Sequence, residues 1–213
     1  MAGTPSSRHE GADLAGSRPE DAGVLSHFWT PLVAVGCSQG DRLNAQISVS
    51  TFGASIVPDR PRLLCVLYKA NLTHELVAAK GSFSVSLLAD DQRDLIPKLG
   101  FVSGRNEDKM AGLEVDVTPE GNPILTGCLA WLECDVIDSF DLGDATCFLG
   151  AVTAMESLRV GEPMFWAQIR TTLPEEWLVE WDQKIAGDIE RYRQMMLWLG
   201  DQRGEPPGAT SVR

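Results

Sequence analysis

Eight consecutive residues, Tyr68-Lys69-Ala70-Asn71-Leu72-Thr73-His74-Glu75, concentrate the side chains best suited to chemistry. A β-prone run from Arg62 to Tyr68 ends at Lys69. Asn71 to Lys80 then reads as a short helix, with Asn71 as N-cap and Gly81 just past its end. The first backbone N–H groups of a helix lack intrahelical acceptors, and the helix dipole adds partial positive charge there. Lys69 sets a full positive charge beside them, while Asn71 and Thr73 add short hydrogen-bonding groups. Together they suit a phosphate, held without a glycine-rich loop. The same residues also describe an ordinary capped helix carrying a surface lysine, and spacing alone does not separate the two.

A second stretch, Asn44-Ala45-Gln46-Ile47-Ser48-Val49-Ser50, lies in the alternating segment Leu43 to Thr51. Ile47 and Val49 point to one side, and Gln46, Ser48 and Ser50 to the other. Its small residues would let a flat ring lie close to the backbone, whose N–H groups could bond the ring's heteroatoms. A solvated outer face of a sheet has the same alternation.

The elements that must hold these stretches are mostly strands: Pro31 to Cys37, closed by the turn Ser38-Gln39-Gly40-Asp41, then Leu43 to Thr51, Arg62 to Tyr68 and Ser82 to Leu88. Leu125 to Asp138, Ala145 to Glu156 and Met164 to Arg170 read as further strands. Asp91 to Leu99 reads as a second short helix, capped by Asp90 or Asp91. Many short strands with few helices between them point to an all-β barrel or sandwich with flanking helices, not to a parallel α/β sheet. From Pro174 the period changes. Trp177, Trp181, Ile185, Ile189, Tyr192, Met196 and Leu199 form one face of a long C-terminal amphipathic helix. That face suits docking on the chain's own barrel or on a partner subunit; a Trp-lined cofactor face is the alternative.

Composition narrows the partners. The 213 residues carry a formal net charge of −12, which argues against nucleic acid and anionic membrane surfaces. Residues 1–21 and 200–213 are rich in Gly, Ser, Pro and charge and read as disordered. Residues 22–172 read as one domain and 173–199 as the helical extension. Cys37, Cys65, Cys128, Cys134 and Cys147 form no Cys-x-x-C pair, so no zinc or rubredoxin-type iron site and no disulfide framework is expected. No apolar run approaches the roughly 20 residues of a membrane span. A cytoplasmic location follows as the expectation.

Several segments in fixed order carry a resemblance: Asn44-Ala45-Gln46-Ile47, Lys69 to Glu75, Phe83-Ser84-Val85-Ser86-Leu87-Leu88, Gly100 to Met110, Pro123-Ile124-Leu125 and Trp131 to Val136. Over roughly Phe28 to Phe165 the chain resembles the flavin reductase-like, FMN-binding split-barrel family, most nearly the modules associated with rubredoxins. The resemblance implies a Greek-key split β-barrel, a homodimer, and FMN (or FAD) near the subunit interface. Asn44, Ala45, Gln46, Ile47, Ser48, Val49 and Ser50 would border the ring and ribityl chain. Lys69, Asn71, Leu72 and Thr73 would hold the phosphate. Ser103, Arg105 and Lys109 would lie near the flavin or the opposite subunit; Asp108-Lys109 resembles the family's Asp-Lys-Phe, with Met110 in place of the Phe, and a structural Asp108–Lys109 ion pair is its other reading. Family activity implies NAD(P)H as a transient co-substrate and a separate electron acceptor protein or monooxygenase. No Rossmann glycine fingerprint is present to bind the nicotinamide coenzyme by itself. One departure stands out. Where family members carry Gly-Asp-His or Gly-Thr-His, this sequence reads Gly143-Asp144-Ala145-Thr146, so no imidazole comes from that position. The departure leaves FMN binding better supported than NAD(P)H oxidation.

Overall fold

A computed structural model describes residues 23–197. The terminal segments expected to be disordered, 1–21 and 200–213, lie outside the described residues. Among the described residues nine strands follow in chain order: β1 Val33–Gln39, β2 Arg42–Ser48, β3 Thr51–Gly53, β4 Arg62–Tyr68, β5 Ser82–Leu87, β6 Val115–Val117, β7 Pro123–Leu125, β8 Ala130–Asp141 and β9 Ala145–Ser157. Helix α1, Leu72–Lys80, separates β4 from β5; α2, Trp166–Ile169, and α3, Glu175–Arg193, follow the last strand. Seven strands form one sheet in the order β2-β1-β5-β8-β9-β4-β3, and every neighbouring pair is antiparallel.

The sheet's two edges are joined by only two residues, Val49 and Ser50, between β2 and β3. The Thr30 amide donates to the Val49 carbonyl at 2.9 Å, and the Val66 amide to the Ser50 carbonyl at 3.0 Å. The expected strand Leu43 to Thr51 is thus one run bent near its end, pairing with β1 before the bend and with β4 after it. This bend curls the sheet into the split barrel. Register shifts in the β8–β9 ladder add curvature. Gly150 lies under that curve: a Cβ there would sit 2.9 Å from the Cys134 Cβ and 3.0 Å from the Phe83 ring.

Alternation along β1 sends side chains into two cores. Val33, Val35 and Cys37 join Phe83, Val85, Leu67 and Phe148, with Leu72, Leu76 and Val77 of α1 closing that cluster. Leu32 and Ala34 face the other way, toward Ile96, Leu99, Phe101, Met164, Trp166 and Ile169. Trp177, Leu178 and Trp181 of α3 pack on this second cluster. Trp181 meets Trp166 at 4.9 Å and Phe101 at 5.9 Å between ring centroids.

Four expectations need correction. Asp91 to Leu99 is not a regular helix: the chain turns through Asp91–Asp94, and the helical residues lead into a π turn at Pro97–Phe101. Pro97 supplies no N–H and crowds the carbonyl four residues back, so the ladder widens. Asp91, expected as a cap, instead grips Arg159 through both carboxylate oxygens, at 2.6 and 2.9 Å. Leu125 to Asp138 is two strands, since the chain turns at Thr126–Leu129. Met164 to Arg170 is helical where a strand was expected: after a single bridge at Pro163, Trp166 and Ile169 bury themselves at helical spacing. Finally, α3 stops at Arg193, Met196 lies in the turn beyond, and Leu199 is outside the described residues.

A buried polar network braces β5, β8 and the turn before β7. Asn122 donates to Glu133 Oε1 at 2.8 Å and to Ser82 Oγ at 3.0 Å, and it accepts from Lys80 Nζ at 2.8 Å. Glu133 is 1% exposed, and its Oε2 has no partner. Burial pushes the Glu133 carboxyl up from its usual range, against the opposing pull of hydrogen bonds from Thr118 and Asn122. A carboxyl whose folded value is raised stabilises most below its unfolded value and loses that contribution as pH rises through the folded one. Glu133→Gln keeps the acceptor for Asn122 and cannot ionise. The variant should therefore lose less stability than wild type as the pH rises from 5 to 8. Urea unfolding at the two pH values measures it.

Candidate functional site

The junction of β4 and α1 follows the sequence closely. Asn71 occupies the N-cap position with extended dihedrals, φ −84° and ψ 140°, but its side chain makes no capping bond. The amides of Leu72, Thr73 and His74 therefore have neither an intrahelical acceptor nor a side-chain substitute. Lys69 lies beside them, its Nζ 2.7 Å from Asp141 Oδ1. That carboxylate is largely exposed, and Lys69 holds it well below the usual carboxylate range, with the Gly143 amide assisting. The Thr73 hydroxyl is buried and engaged: Asn44 Nδ2 donates to it at 2.7 Å.

On β2 the expected residues divide between the faces. Asn44, Gln46 and Ser48 are buried opposite Cys37, Val35 and Val33, on the side closed by α1. Ala45, Ile47 and Val49 turn to the other core. Ser50 sits at the bend, with its amide 3.1 Å from Ser48 Oγ. Gln46 Oε1 is buried without a partner, a free acceptor in the middle of the strand.

The loop after the π turn brings further residues to this junction. Arg105 Nη1 donates to the Ala70 carbonyl at 3.1 Å, and its Nη2 pairs with Glu75, so its guanidinium stands at the mouth of α1. Ser103 shapes the turn beneath it: Ser103 Oγ takes the Arg105 amide at 3.3 Å. Arg42 ties the same turn to β2 through the Gly104 carbonyl. Gly104 lies so close to the cradle that a Cβ there would fall 1.9 Å from Asn44 Oδ1 and 3.2 Å from Leu72 Cδ2. Arg42, Asn44, Arg105 and Asp108 help line an open pocket of about 520 Å³ between β2 and this loop. Lys109 does not join them: its Nζ turns into the core and donates to the Leu99 carbonyl at 2.6 Å. The structure also records no ion pair between Lys109 and Asp108, whose Oδ1 takes the Met110 amide instead.

Ala145 is buried and registers with Tyr68 across β4 and β9. His74 lies one residue away, with Nε2 2.8 Å from Thr146 Oγ1 and Nδ1 buried without a partner. Burial, reinforced by Lys69, lowers its pKa, which favours a neutral ring at pH 7. Tyr192 of α3 stacks on Tyr68 at 4.8 Å, and the chain beyond α3 crosses Gly143, where a Cβ would fall 2.4 Å from the Met195 carbonyl oxygen.

The structure thus gathers Lys69, Asn71, Leu72, Thr73, Asn44, Ser103 and Arg105 about one corner. It leaves Lys109 behind the loop, and Ala45, Ile47 and Val49 behind the strand. Arg42 and Asp141 are not among the residues the sequence singles out, and Gly104 enters there only as part of the Gly100 to Met110 segment. Arg42 and Asp141 look like ordinary surface charges there, and only the close approach of chains far apart in sequence gives Gly104 its meaning.

The sequence and fold resemble those of known proteins. Residues 25–172 match the model of the flavin reductase like domain. The chain is 37% identical over 149 residues to a high molecular weight rubredoxin of Moorella thermoacetica, covering 69% of this chain and 64% of that protein. It therefore spans less than two thirds of that relative's length. It is 29% identical over 144 residues to the reductase subunit HsaB of a flavin-dependent monooxygenase from Rhodococcus jostii, covering 67% of this chain and 71% of that one. An FMN-binding protein from Thermus thermophilus, solved with bound p-hydroxybenzaldehyde, superposes with a TM-score of 0.57 at 25% identity, covering 74% of this chain and 78% of its own. Since that match to the flavin reductase like domain runs over residues 25–172, more than half of the chain, the chain belongs to the flavin reductase-like family.

Proposed function

We propose that this protein is a flavin reductase that binds FMN at the β4–α1 corner, oxidises NAD(P)H there, and hands the electrons to a separate acceptor or monooxygenase. The observation that carries the proposal is the uncapped mouth of α1, flanked by Lys69 and Arg105. Among the described residues this is where free amides and two cations converge beside the β2 strand. The amides of Leu72 and Thr73 would take the phosphate oxygens, with Asn71 as a further donor. Lys69 would exchange an exposed carboxylate, Asp141, for the phosphate, and Arg105 would do the same with Glu75. Both trades replace a solvated ion pair worth little with contacts to a more highly charged group. Thr73 acts through Asn44, which fixes the first turn of α1 against β2. Gln46 offers an unused acceptor, and the backbone of Asn44 to Ser50 would border the ring. Ser103 sets the turn that carries Arg105. FAD would present the same proximal phosphate to the same groups. Flavin, when bound, would supply the hydride- and electron-transfer chemistry, and the residues named here would bind and orient it.

A homodimer fits the same picture, since Phe52, Ile137, Phe140 and Met155 expose apolar surface on the barrel strands. No helix among the described residues is long and apolar enough to cross a membrane. Residues 22–172 would form the flavin domain and 173–199 its extension.

A second reading has its own support. Ala145 offers no imidazole, and the tyrosine stack of α3 covers the adjoining wall. A flavin-binding electron-transfer module that does not oxidise NAD(P)H would tolerate both features.

Purified protein mixed with FMN should quench flavin fluorescence and consume NADH or NADPH; quenching without consumption would select the module. Lys69→Ala should weaken FMN binding about 10- to 100-fold, the scale of one charge-assisted contact, and leave riboflavin binding unchanged because riboflavin has no phosphate. Equal losses for both ligands would move the phosphate elsewhere. Gly104→Ala forces a methyl group onto Asn44 Oδ1, and should cost about 1–3 kcal/mol in chemical unfolding, as overpacking does. It should weaken FMN binding as well.

A further inference from the structure

Lys109 is an unusual residue to find inside. It is 5% exposed, and its one recorded hydrogen bond goes to the Leu99 carbonyl, 2.6 Å away in the π turn. That bond joins the two ends of the segment 99–109 and makes it a closed loop. The tip of the loop consists of the residues that touch the proposed cradle: Gly104 against Asn44, and Arg105 against Ala70 and Glu75. The same π turn carries Phe101, on which Trp181 of α3 rests at 5.9 Å.

We propose that Lys109 is a positioning residue for flavin binding: by gripping the Leu99 carbonyl it closes the loop whose tip, Gly104 and Arg105, stands at the mouth of α1. The proposal rests on the flavin site described above but concerns a residue that does not touch the flavin. Closing a loop at its base removes conformational freedom from its tip, so the tip reaches the cradle already ordered. The base is an ammonium on a backbone carbonyl, and its surroundings give it little else. On its own loop, the Asp108 carboxylate takes the Met110 amide. From the π turn, Lys98 reaches the Ala111 carbonyl. From α3, Lys184 adds like charge, offset by its own partner Asp188 at 2.5 Å. Burial, with Lys184 adding to it, brings the Lys109 pKa down to about 8. A tie of this kind is charge-assisted at pH 7 and becomes a weaker neutral one by pH 9.

The test combines two variants, one ligand and one readout that needs no ligand. Lys109→Met keeps the length and suits a buried position, but donates nothing. It should weaken FMN binding about tenfold, the lower end for a charge-assisted bond. It should also speed amide exchange at Gly104–Glu107 in the flavin-free protein. Lys109→Arg, which can still donate, should fall nearer to wild type on both measures. In the wild type, FMN affinity should decline between pH 7 and pH 9, and in Lys109→Met that decline should flatten. Unchanged exchange at the loop tip in Lys109→Met would overturn the proposal, as would a wild-type pH profile no steeper than the variant's. If the wild type bound no FMN at all, the flavin site itself would fall, and the exchange comparison would still decide whether Lys109 closes the loop.

Discussion

The hydrogen bond from Asn44 to Thr73, 2.7 Å long and buried, joins the two halves of the candidate site. Asn44 belongs to β2 and Thr73 to the first turn of α1, and 29 residues separate them. Without this contact the mouth of α1 would be only a helix start on the barrel's rim. With it, the free amides of α1 are fixed relative to the backbone of Asn44 to Ser50, so a group bound to one is measured against the other. The bond also sets what can lie above it. Gly104 passes so near Asn44 that no side chain fits, and this close approach brings Arg105 to the helix mouth. On the other side of α1, His74 meets Thr146 of β9. The first turn of α1 is therefore held from both walls of the barrel, as a preorganised anion site requires.

The C-terminal helix serves this arrangement from behind. Its aromatic residues do not line the helix mouth. Trp177 and Trp181 close the outer core over the π turn, and Tyr192 stacks on Tyr68, the last residue of the strand that leads to Lys69. Ile189, on the same stripe, stays half exposed. The helix thus buttresses both chain segments that reach the cradle, the strand end at Tyr68 and the loop that starts at Phe101. That favours docking on the chain's own barrel over a Trp-lined cofactor face.

Local chemistry made part of this legible in the sequence. The boundaries of β4 and α1 follow from an apolar run, a polar cap residue and Gly81, which adopts the left-handed φ of 78° that ends the helix. The alternation in β2 gives the correct faces for Gln46 and Ile47. Sequence reasoning failed where tertiary contacts overrule local preference. Trp166 and Ile169 look like strand residues until the outer core demands helical spacing of them. Pro97 sits inside an apparent helix and opens it into a π turn. Lys109 sits in a motif that resembles a cofactor loop, and nothing local says that its ammonium turns inward to Leu99. The role of Gly104 depends on Asn44, far away in sequence, and no pattern within a window reveals it. The strand bend at Val49 and Ser50, which curls the sheet, likewise depends on Thr30 and Val66.

The cysteines complete the chemical picture. Cys37, Cys65, Cys128 and Cys134 are buried, and Cys147 is partly so; all five are free. Burial pushes the Cys37 thiol up to about 11 and the Cys65 thiol up to about 12, and it raises the other three as well. The thiolate is the reactive form, so these side chains are poor nucleophiles and poor redox partners at neutral pH. In the proposed function these thiols have no part, and the side chains at the helix mouth supply position and charge. The charge is local. In a protein with a net charge of −12, Lys69, Arg42 and Arg105 stand near one corner, two of them held by carboxylates that an incoming phosphate could replace. Such a corner attracts an anion at short range, while the acidic remainder of the surface repels it. That contrast favours a compact phosphate ester delivered to one place over diffuse binding of polyanions.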